Sequence, residues 1–218
     1  MLQIVTLNQR NFNISGQEIY QMVRKMVQTK KIIKDAFWEL LEEKPYNKIT
    51  VRDIVNRCCV NRNTFYYYFQ DIPTLMVDSI EEWIDEVIRK YGTITSPVDC
   101  LTYMAEECMK RKKAFLNLFH SAQKDAFLYD LNRMGYDIIN TYVDKIGENR
   151  EILKEEKESF IRCYKCVFVG SILGWLEEDA SYDLSSFYEE LCKIFSGSGF
   201  GETGLKICEE PAIGRSSA

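Results

Sequence analysis

The run NRNTFYYYF contains side chains that can hydrogen-bond to the edges of base pairs. An arginine can make a bidentate contact to guanine, and an asparagine can do the same to adenine. These two residue types stand side by side at Arg62 and Asn63. Thr64, Tyr66 and Tyr67 follow with hydroxyl groups that can bond to phosphate oxygens. The run therefore has the side chains that a DNA-contacting element needs.

Two short helices are expected to position this run. Thr50 can cap a helix that ends near Cys58, with Asp53 completing a weak form of the capping box. Asn61 can cap a second helix, Arg62–Phe69. Two short helices joined by a break of three or four residues form a helix-turn-helix. The second helix of such a unit can enter the major groove, with its N-terminal residues nearest the bases.

The same pattern has a structural interpretation. Short capped helices with aromatic residues are also common in helical cores. However, successive residues of a helix point about 100° apart, so three tyrosines in a row cannot all be buried on one side. Phe65 and Phe69 are four residues apart and are expected to face inward. Exposed tyrosines beside Arg62 and Asn63 then favour a binding face.

The rest of the chain predicts an all-α fold, because strand-like alternation is rare and helical spacing is common. A helix from about residue 30 to 43 ends before Pro45. A helix capped by Asp71 runs to about residue 90, and Gly92–Pro97 is expected to be a loop. Further helices are expected at about 98–111, 113–122, 124–146, 151–178 and 184–195.

These elements predict four parts of the chain. An N-terminal extension covers residues 1–28, in which Gln17–Gln28 could be helical, either as an extension of the first helix or partly disordered. A three-helix helix-turn-helix domain for DNA binding covers 29–76. A helical ligand-binding and dimerisation domain covers 77–197. A flexible tail rich in Gly, Ser and charge covers 198–218.

The stretch Thr29–Leu75 resembles the DNA-binding domain of the tetracycline-repressor (TetR/AcrR-like) family of transcriptional regulators. The resemblance lies in TVRDIV at Thr50–Val55 and in VNRNTFYYYF at Val60–Phe69, of which TFYxxF is the most specific part. The lead-in KPYNKIT is also similar to a subgroup that includes the dihydroxyacetone-kinase regulators. Beyond this stretch, the resemblance rests on length and helical pattern.

The resemblance implies a homodimer that binds a pseudo-palindromic operator in double-stranded DNA, as a repressor. A small-molecule effector in the C-terminal domain would alter the spacing of the two DNA-binding heads. The residues that the resemblance assigns to DNA contact are Thr50, Arg52, Arg62, Asn63, Thr64, Tyr66, Tyr67 and Tyr68.

Three positions depart from the family pattern. Cys59 replaces the usual turn glycine, which predicts a strained turn or a slightly different helix crossing. Tyr68 stands where histidine is frequent, and Ile72 stands where a lysine commonly meets phosphate. These departures keep a second hypothesis open, in which the chain is a protein-binding adaptor or co-regulator of the same fold with weakened or lost DNA binding.

The regulatory part contains many large apolar side chains, and core packing explains most of them. A ligand pocket between helices would use the same residue types with a few polar groups. The pocket candidates are Tyr103, Phe119, His120, Tyr136, Tyr164 and Phe168.

The segment Phe160–Trp175 has few charges and contains small residues, which let helices approach closely. Together with the helix Leu184–Phe195 it predicts a dimer interface of two helices per subunit, and the alternative is an ordinary buried helix. The interface candidates are Phe168, Gly170, Ser171, Gly174, Trp175, Phe187 and Leu191.

Charge supports a local rather than a general contact with nucleic acid. The net charge is −5. Residues 1–78 contain 11 basic and 8 acidic side chains, which is +3, and the rest contains 17 and 25, which is −8. A mildly basic front on an acidic body fits a DNA contact confined to one end.

Other function classes find little support. The chain has one histidine, no Ser-His-Asp set and no glycine-rich phosphate loop, so an enzyme is not expected. Eight cysteines without a signal sequence are expected to stay reduced. The pair Cys163 and Cys166 lacks the other two ligands of a zinc site, so neither a metal nor a cofactor is expected. No membrane span is expected, and the protein should be cytoplasmic.

Overall fold

The computed structural model describes residues 16–91, 97–147 and 153–197. Over these residues it has nine α-helices, a short 3-10 helix at Tyr46–Lys48 and no strand, which confirms the all-α fold class. The helices are α1 Gly16–Glu43, α2 Val51–Arg57, α3 Arg62–Tyr68, α4 Ile72–Tyr91, α5 Pro97–Lys110, α6 Lys112–Phe119, α7 Lys124–Gly147, α8 Lys154–Glu177 and α9 Leu184–Gly197. The expected tail and most of the expected loop before Pro97 lie outside the described residues.

The sequence leaves open whether residues 17–28 extend the first helix. In the structure they do, because α1 begins at Gly16. No proline and no further glycine occurs between Gly16 and Pro45, so nothing in the sequence interrupts the helix. The expected N-terminal extension is thus partly a continuation of α1.

The second half of α1 forms one wall of the helix-turn-helix core. Ile33, Phe37 and Leu41 are fully buried, as are Ile54 on α2 and Phe65 on α3. Their spacing of four residues along α1 places them on one face of the helix. Helix α2 packs against α1, and α3 packs against α2, so this core fixes the orientation of both short helices.

A pair of tryptophans and a buried lysine join this core to the regulatory half. Lys34 of α1 has a side chain only 8% exposed, and its Nζ lies 2.8 Å from a carboxylate oxygen of Glu82 on α4. Trp38 of α1 and Trp83 of α4 both pack on Phe115 of α6, with ring centroids 6.4 and 5.2 Å away. Helices α4 and α6 thus contact the helix-turn-helix core directly through α1.

In the regulatory half α7 packs along α8, and α5 packs against α9. Gly135 lets α7 and α8 approach closely, because a Cβ atom at this position would lie 2.8 Å from Cδ1 of Phe168. Trp175 of α8 is fully buried, and its indole Nε1 donates a hydrogen bond of 3.0 Å to the carbonyl of Tyr182.

Helix α8 is long and apolar enough to cross a membrane by length and composition, with a mean hydropathy of 1.3 over 18 residues. It nevertheless packs on its neighbours, and it buries Ile161, Phe168, Ile172, Trp175 and Leu176. Its first turn is acidic. These features are typical of a helix that packs within a helical bundle.

Candidate nucleic-acid interface

Helix α3 presents a polar outer face. Asn61 caps it, because its side-chain oxygen accepts a hydrogen bond of 2.7 Å from the backbone N–H of Thr64. Phe65 is buried, whereas Tyr66 and Tyr67 are 46% and 69% exposed. Arg62 and Asn63 are exposed as well. The expected outward orientation of Arg62, Asn63, Tyr66 and Tyr67 is confirmed.

Arg62 is held against its own helix by Tyr66. Its Nη2 donates a hydrogen bond of 3.1 Å to the tyrosine hydroxyl, and its guanidinium lies 5.5 Å from the ring centroid. The two residues are one helical turn apart, which allows this contact. A guanidinium has five N–H donors, so one bond leaves a planar edge able to meet a guanine. The contact restricts the arginine to the outer face.

Three other predicted contact residues are engaged within the protein. The Thr64 hydroxyl donates to Oδ1 of Asn61 at 3.0 Å, and the Thr50 hydroxyl donates to Oδ2 of Asp53 at 2.7 Å. Tyr68 is half-buried, and its ring makes an edge-to-face contact with the ring of Tyr67. Thr50 and Thr64 therefore act first as helix caps.

The start of α2 is an exposed capping box, as expected. The backbone N–H of Thr50 donates to Asp53 at 2.9 Å, and the backbone N–H of Asp53 donates to the Thr50 hydroxyl at 3.2 Å. Lys44 lies 2.9 Å from the same carboxylate. The hydrogen bond from Lys44, with those from Thr50, lowers the pKa of Asp53 to about 2. Arg52, the remaining predicted contact, is exposed on α2 beside this box.

The turn between α2 and α3 contains a residue in the left-handed region. Cys59 has a φ of 55°. Glycine adopts this conformation without a steric penalty, whereas other residues have a Cβ that opposes it. The expected strained turn is confirmed. Since the backbone N–H of Val60 still bonds to the carbonyl of Val55 at 3.1 Å, the turn closes without glycine.

A clamp that the sequence did not predict fixes α2 to α1. Arg57 donates to Glu43 at 2.6 and 2.9 Å and to Glu39 at 3.1 Å. The hydrogen bonds that Arg57 donates to Glu43, and next to Glu39, raise its pKa above the usual range. Arg57 thus stabilises the packing of α2 on α1. Its guanidinium N–H donors are bonded to Glu39 and Glu43 and are not available to bind a phosphate.

The predicted ligand-pocket residues have different environments in the structure. Phe119 and Phe168 are buried in the core, and Tyr164 is half-buried with its ring stacked on Phe160 at 4.3 Å. Tyr103 and Tyr136 are 40% and 50% exposed. The side chain of His120 is exposed and faces Asp179 at 3.1 Å.

A charged crevice lies at the junction of the two halves. It is lined by Lys31, Lys34, Asp35, Trp38, Ser79, Glu82, Trp83, Glu86 and Arg111. The guanidinium of Arg111 lies 4.4 Å from the Trp38 ring centroid. Burial lowers the pKa of Arg111 and raises that of Asp35. Sequence patterns missed this crevice because its charged residues are distributed over separate helices.

The predicted dimer-interface residues divide into two groups. Phe168 and Trp175 are 2% and 0% exposed and pack in the core of their own subunit. Gly170 is exposed, and Ser171, Gly174, Phe187 and Leu191 are half-buried. Phe168 and Trp175 were expected to face a partner, and this placement is wrong because their rings fill the space between helices of one chain.

Gly170 and Gly174 are part of an uncharged stripe on the outer side of α8. The α8 stripe consists of Cys163, Cys166, Val167, Gly170 and Gly174. A Cβ atom at Gly170 or Gly174 would meet nothing within 4 Å, so the space above both is open. Within the described ranges no group of three or more His, Cys, Asp or Glu residues could hold a metal ion. The spacing of three and four residues in the sequence could have identified the two cysteines and Val167 as part of this face.

Comparison with family models gives two matches. Residues 33–76 match the model described as bacterial regulatory proteins, tetR family. Residues 96–197 match a model described as a transcriptional regulator C-terminal region. The two matches cover the helix-turn-helix and the regulatory helices α5 to α9.

A curated relative is the HTH-type dhaKLM operon transcriptional activator DhaS of Lactococcus lactis subsp. lactis (strain IL1403). It is 32% identical over 98 residues, which are 43% of this chain and 52% of the relative. The match thus spans about half the length of that protein.

Solved structures share the fold. The dihydroxyacetone kinase operon activator DhaS superposes with a TM-score of 0.66 at 18% identity, over 84% of this chain and 99% of that one. A TetR regulator from Rhodococcus sp. RHA1 gives 0.52 at 17% identity, over 77% and 95%. The fatty acid degradation regulator FadR from Bacillus halodurans gives 0.53 at 14% identity, over 78% and 95%.

Proposed function

Because this chain belongs to the TetR family of bacterial transcriptional regulators, we propose that it binds a pseudo-palindromic operator as a homodimer and that a small ligand in the regulatory half changes this binding. Helix α3 lies in the major groove, and α2 supports it from the backbone side. The fold is that of the family's known regulators, which act as transcription factors rather than as enzymes, and the cytoplasm is the expected compartment.

The observation that carries the DNA-binding proposal is the outer face of α3. Arg62, Asn63, Tyr66 and Tyr67 all point away from the protein, while Phe65 anchors the helix from behind. Arginine and asparagine can each make bidentate contacts to a purine, and the tyrosines can bond to phosphates. A face with this composition, capped and held rigidly, suits the reading of base pairs.

The α8 stripe supports the proposal of a homodimer. A two-fold interface uses the same patch on both subunits, so it must be self-complementary. An uncharged, largely apolar stripe with two open glycines meets this condition, because two copies can approach without like charges opposing each other. Phe187 and Leu191 on α9, both half-buried, extend the same proposed interface.

We propose that the protein activates rather than represses its target genes. The family resemblance alone favours a repressor, but the Lactococcus lactis relative is named as an activator of the dhaKLM operon. A reporter gene behind the native upstream region tests the direction. Higher expression with the regulator present supports activation, and lower expression supports repression.

The DNA-binding proposal is tested by selecting bound sequences from a random duplex pool at low salt. We expect the selected duplexes to converge on an inverted repeat whose half-sites are one helical turn or a multiple apart, since each subunit presents one α3. Selection of a single half-site without its inverted repeat would contradict the proposed homodimer. A pool that stays random would contradict DNA reading and favour the adaptor hypothesis, in which the α3 face contacts another protein.

A further inference from the structure

The first half of α1 has no packing partner among the described residues. Every residue of Gly16–Lys25 is exposed, although α1 continues unbroken to Glu43. Fourteen residues precede Lys30 in this helix, and at about 1.5 Å per residue they span roughly 20 Å. We call the segment Gly16–Gln28 the α1 arm.

The contacts of Lys30 place the α1 arm beside the end of α3. Lys30 pairs with Asp78 of α4 at 2.9 Å, and its Nζ lies 5.6 Å from the ring centroid of Phe69, which directly follows α3. Because the α1 arm precedes Lys30 in the same unbroken helix, it extends from a point beside the end of α3.

Charge reverses along α1. The segment Gly16–Lys31 contains four basic residues and one acidic residue, whereas residues 32–43 contain one basic and four acidic. One side of the α1 arm, an arc of about 100°, is made of residues that donate hydrogen bonds. These residues are Gln17, Gln21, Arg24, Lys25 and Gln28. Neither Arg24 nor Lys25 forms an ion pair with any residue in the described part of the chain.

We propose that this basic side of the α1 arm contacts the phosphate backbone of the duplex that flanks each operator half-site, with Arg24 and Lys25 as the main cations. The proposal rests on the DNA binding proposed above. Arginine, lysine and glutamine are common phosphate ligands. Helix α4 begins with Ile72 and has no basic residue in its first turn, so the α1 arm supplies positive charge on this side of the molecule.

The apolar residues of the α1 arm lie on its other side. Ile19, Met22 and Val23 are 51%, 56% and 48% exposed. They continue the face that Ile33 and Phe37 bury further along the helix, and they are therefore directed away from Arg24 and Lys25. The proposed DNA contact therefore does not use these apolar residues. A protein contact through them would leave the salt dependence of operator binding unchanged in a variant that lacks Arg24 and Lys25.

The test is the salt dependence of operator binding by the full-length protein, measured by fluorescence anisotropy. The double variant Arg24→Ala/Lys25→Ala is compared with Lys113→Ala/Lys154→Ala, which removes the same charge from exposed positions on α6 and α8. The slope of log K against log salt falls by about 0.9 for each lost phosphate contact. We expect the slope to fall by at least about 1.8 for the α1 arm variant, which corresponds to one lost phosphate contact in each of two subunits. For the control variant we expect the slope to fall by less than about 0.9.

Two duplex lengths sharpen the result. On a duplex trimmed to the outer edges of the half-sites, wild type and the α1 arm variant should bind with the same slope, because the flanking phosphates are missing. An unchanged slope on the long duplex overturns the proposal, and so does an equal fall in the control variant. Absence of wild-type binding to any duplex would instead overturn the proposed DNA binding, and the α1 arm contact with it.

Discussion

Cys59 shows how one residue can depart from a pattern and keep the fold. Its φ of 55° is one that glycine adopts most easily. The position of the turn could be predicted from the caps on either side of it, and the strain could be predicted from the missing glycine. What the sequence could not provide was that the hydrogen bond from Val60 to Val55 still forms around the cysteine.

Replacing Cys59 with glycine should stabilise the protein. We expect Cys59→Gly to raise the free energy of unfolding by about 1 kcal/mol, because a non-glycine residue in the left-handed region costs about 1–2 kcal/mol and the greater unfolded-chain freedom of glycine offsets part of the gain. Urea unfolding measures the change. Cys59→Ala keeps a Cβ and should not stabilise. Equal stability of the glycine and alanine variants would show that the turn holds no strain.

Asp53 should make stability depend on pH. Its pKa is lowered to about 2, first by Lys44 and then by Thr50. A carboxyl whose pKa is lower in the folded state adds stability above its unfolded pKa, near 4, and loses it as the pH falls toward 2. Asp53→Asn should therefore lower Tm at pH 7, and its difference from wild type should narrow between pH 4 and 2. A difference in Tm between wild type and Asp53→Asn that stays constant over this range would contradict the capping role. The control is Asp85→Asn, at an exposed position of α4.

At the level of helices, boundaries followed from caps and breakers, but contacts between helices did not. Asn61 and Thr50 mark the starts of α3 and α2, and Asp71 caps α4 through the backbone N–H of Thr74 at 2.8 Å. The start of α1 stays open in the sequence, because the apolar side chains of residues 17–28 are not buried in the core that marks the rest of the helix. Phe168 was misplaced because one helix face looks the same in sequence whether its own chain or a partner covers it.

Two glycines in adjacent helices should respond in opposite ways to alanine. Gly135→Ala places a Cβ against the buried ring of Phe168, and we expect a loss of about 1–3 kcal/mol in unfolding free energy from overpacking. Gly170→Ala meets open space, so the subunit should keep its stability or gain up to about 1 kcal/mol. Chemical unfolding of both variants checks the pair. A neutral Gly135→Ala would mean that α7 and α8 are not as close as described.

For the whole molecule, the α8 stripe is the feature on which the proposed homodimer depends. A carboxylate introduced at Gly170 or Gly174 would lie opposite its own copy in a two-fold interface. We expect Gly170→Asp and Gly174→Asp to be monomers in sedimentation velocity, with helical content unchanged by circular dichroism. Ala122→Asp, an exposed change outside the stripe, should remain a dimer. A dimer that survives both glycine changes would contradict this placement of the interface.

The contacts between the helix-turn-helix and the regulatory helices are also a feature of the whole molecule. Lys34, Trp38 and Trp83 connect the helix-turn-helix to the regulatory helices through contacts between residues far apart in sequence. Each of these side chains looked like ordinary surface or core in the sequence. Only the three-dimensional arrangement shows that α4 contacts the helix-turn-helix core directly, which is the connection that the proposed ligand control of operator binding requires.

The outer face of α3 is tested most directly through Arg62. Operator affinity is measured by anisotropy for wild type, Arg62→Ala and Arg89→Ala, the last an exposed arginine on α4. We expect Arg62→Ala to weaken specific binding by about 1–3 kcal/mol, or roughly 5- to 150-fold, with Tm and dimer unchanged. Arg89→Ala should bind like wild type. Equal affinity of wild type and Arg62→Ala for the selected operator would contradict the assignment of α3 as the DNA-reading helix.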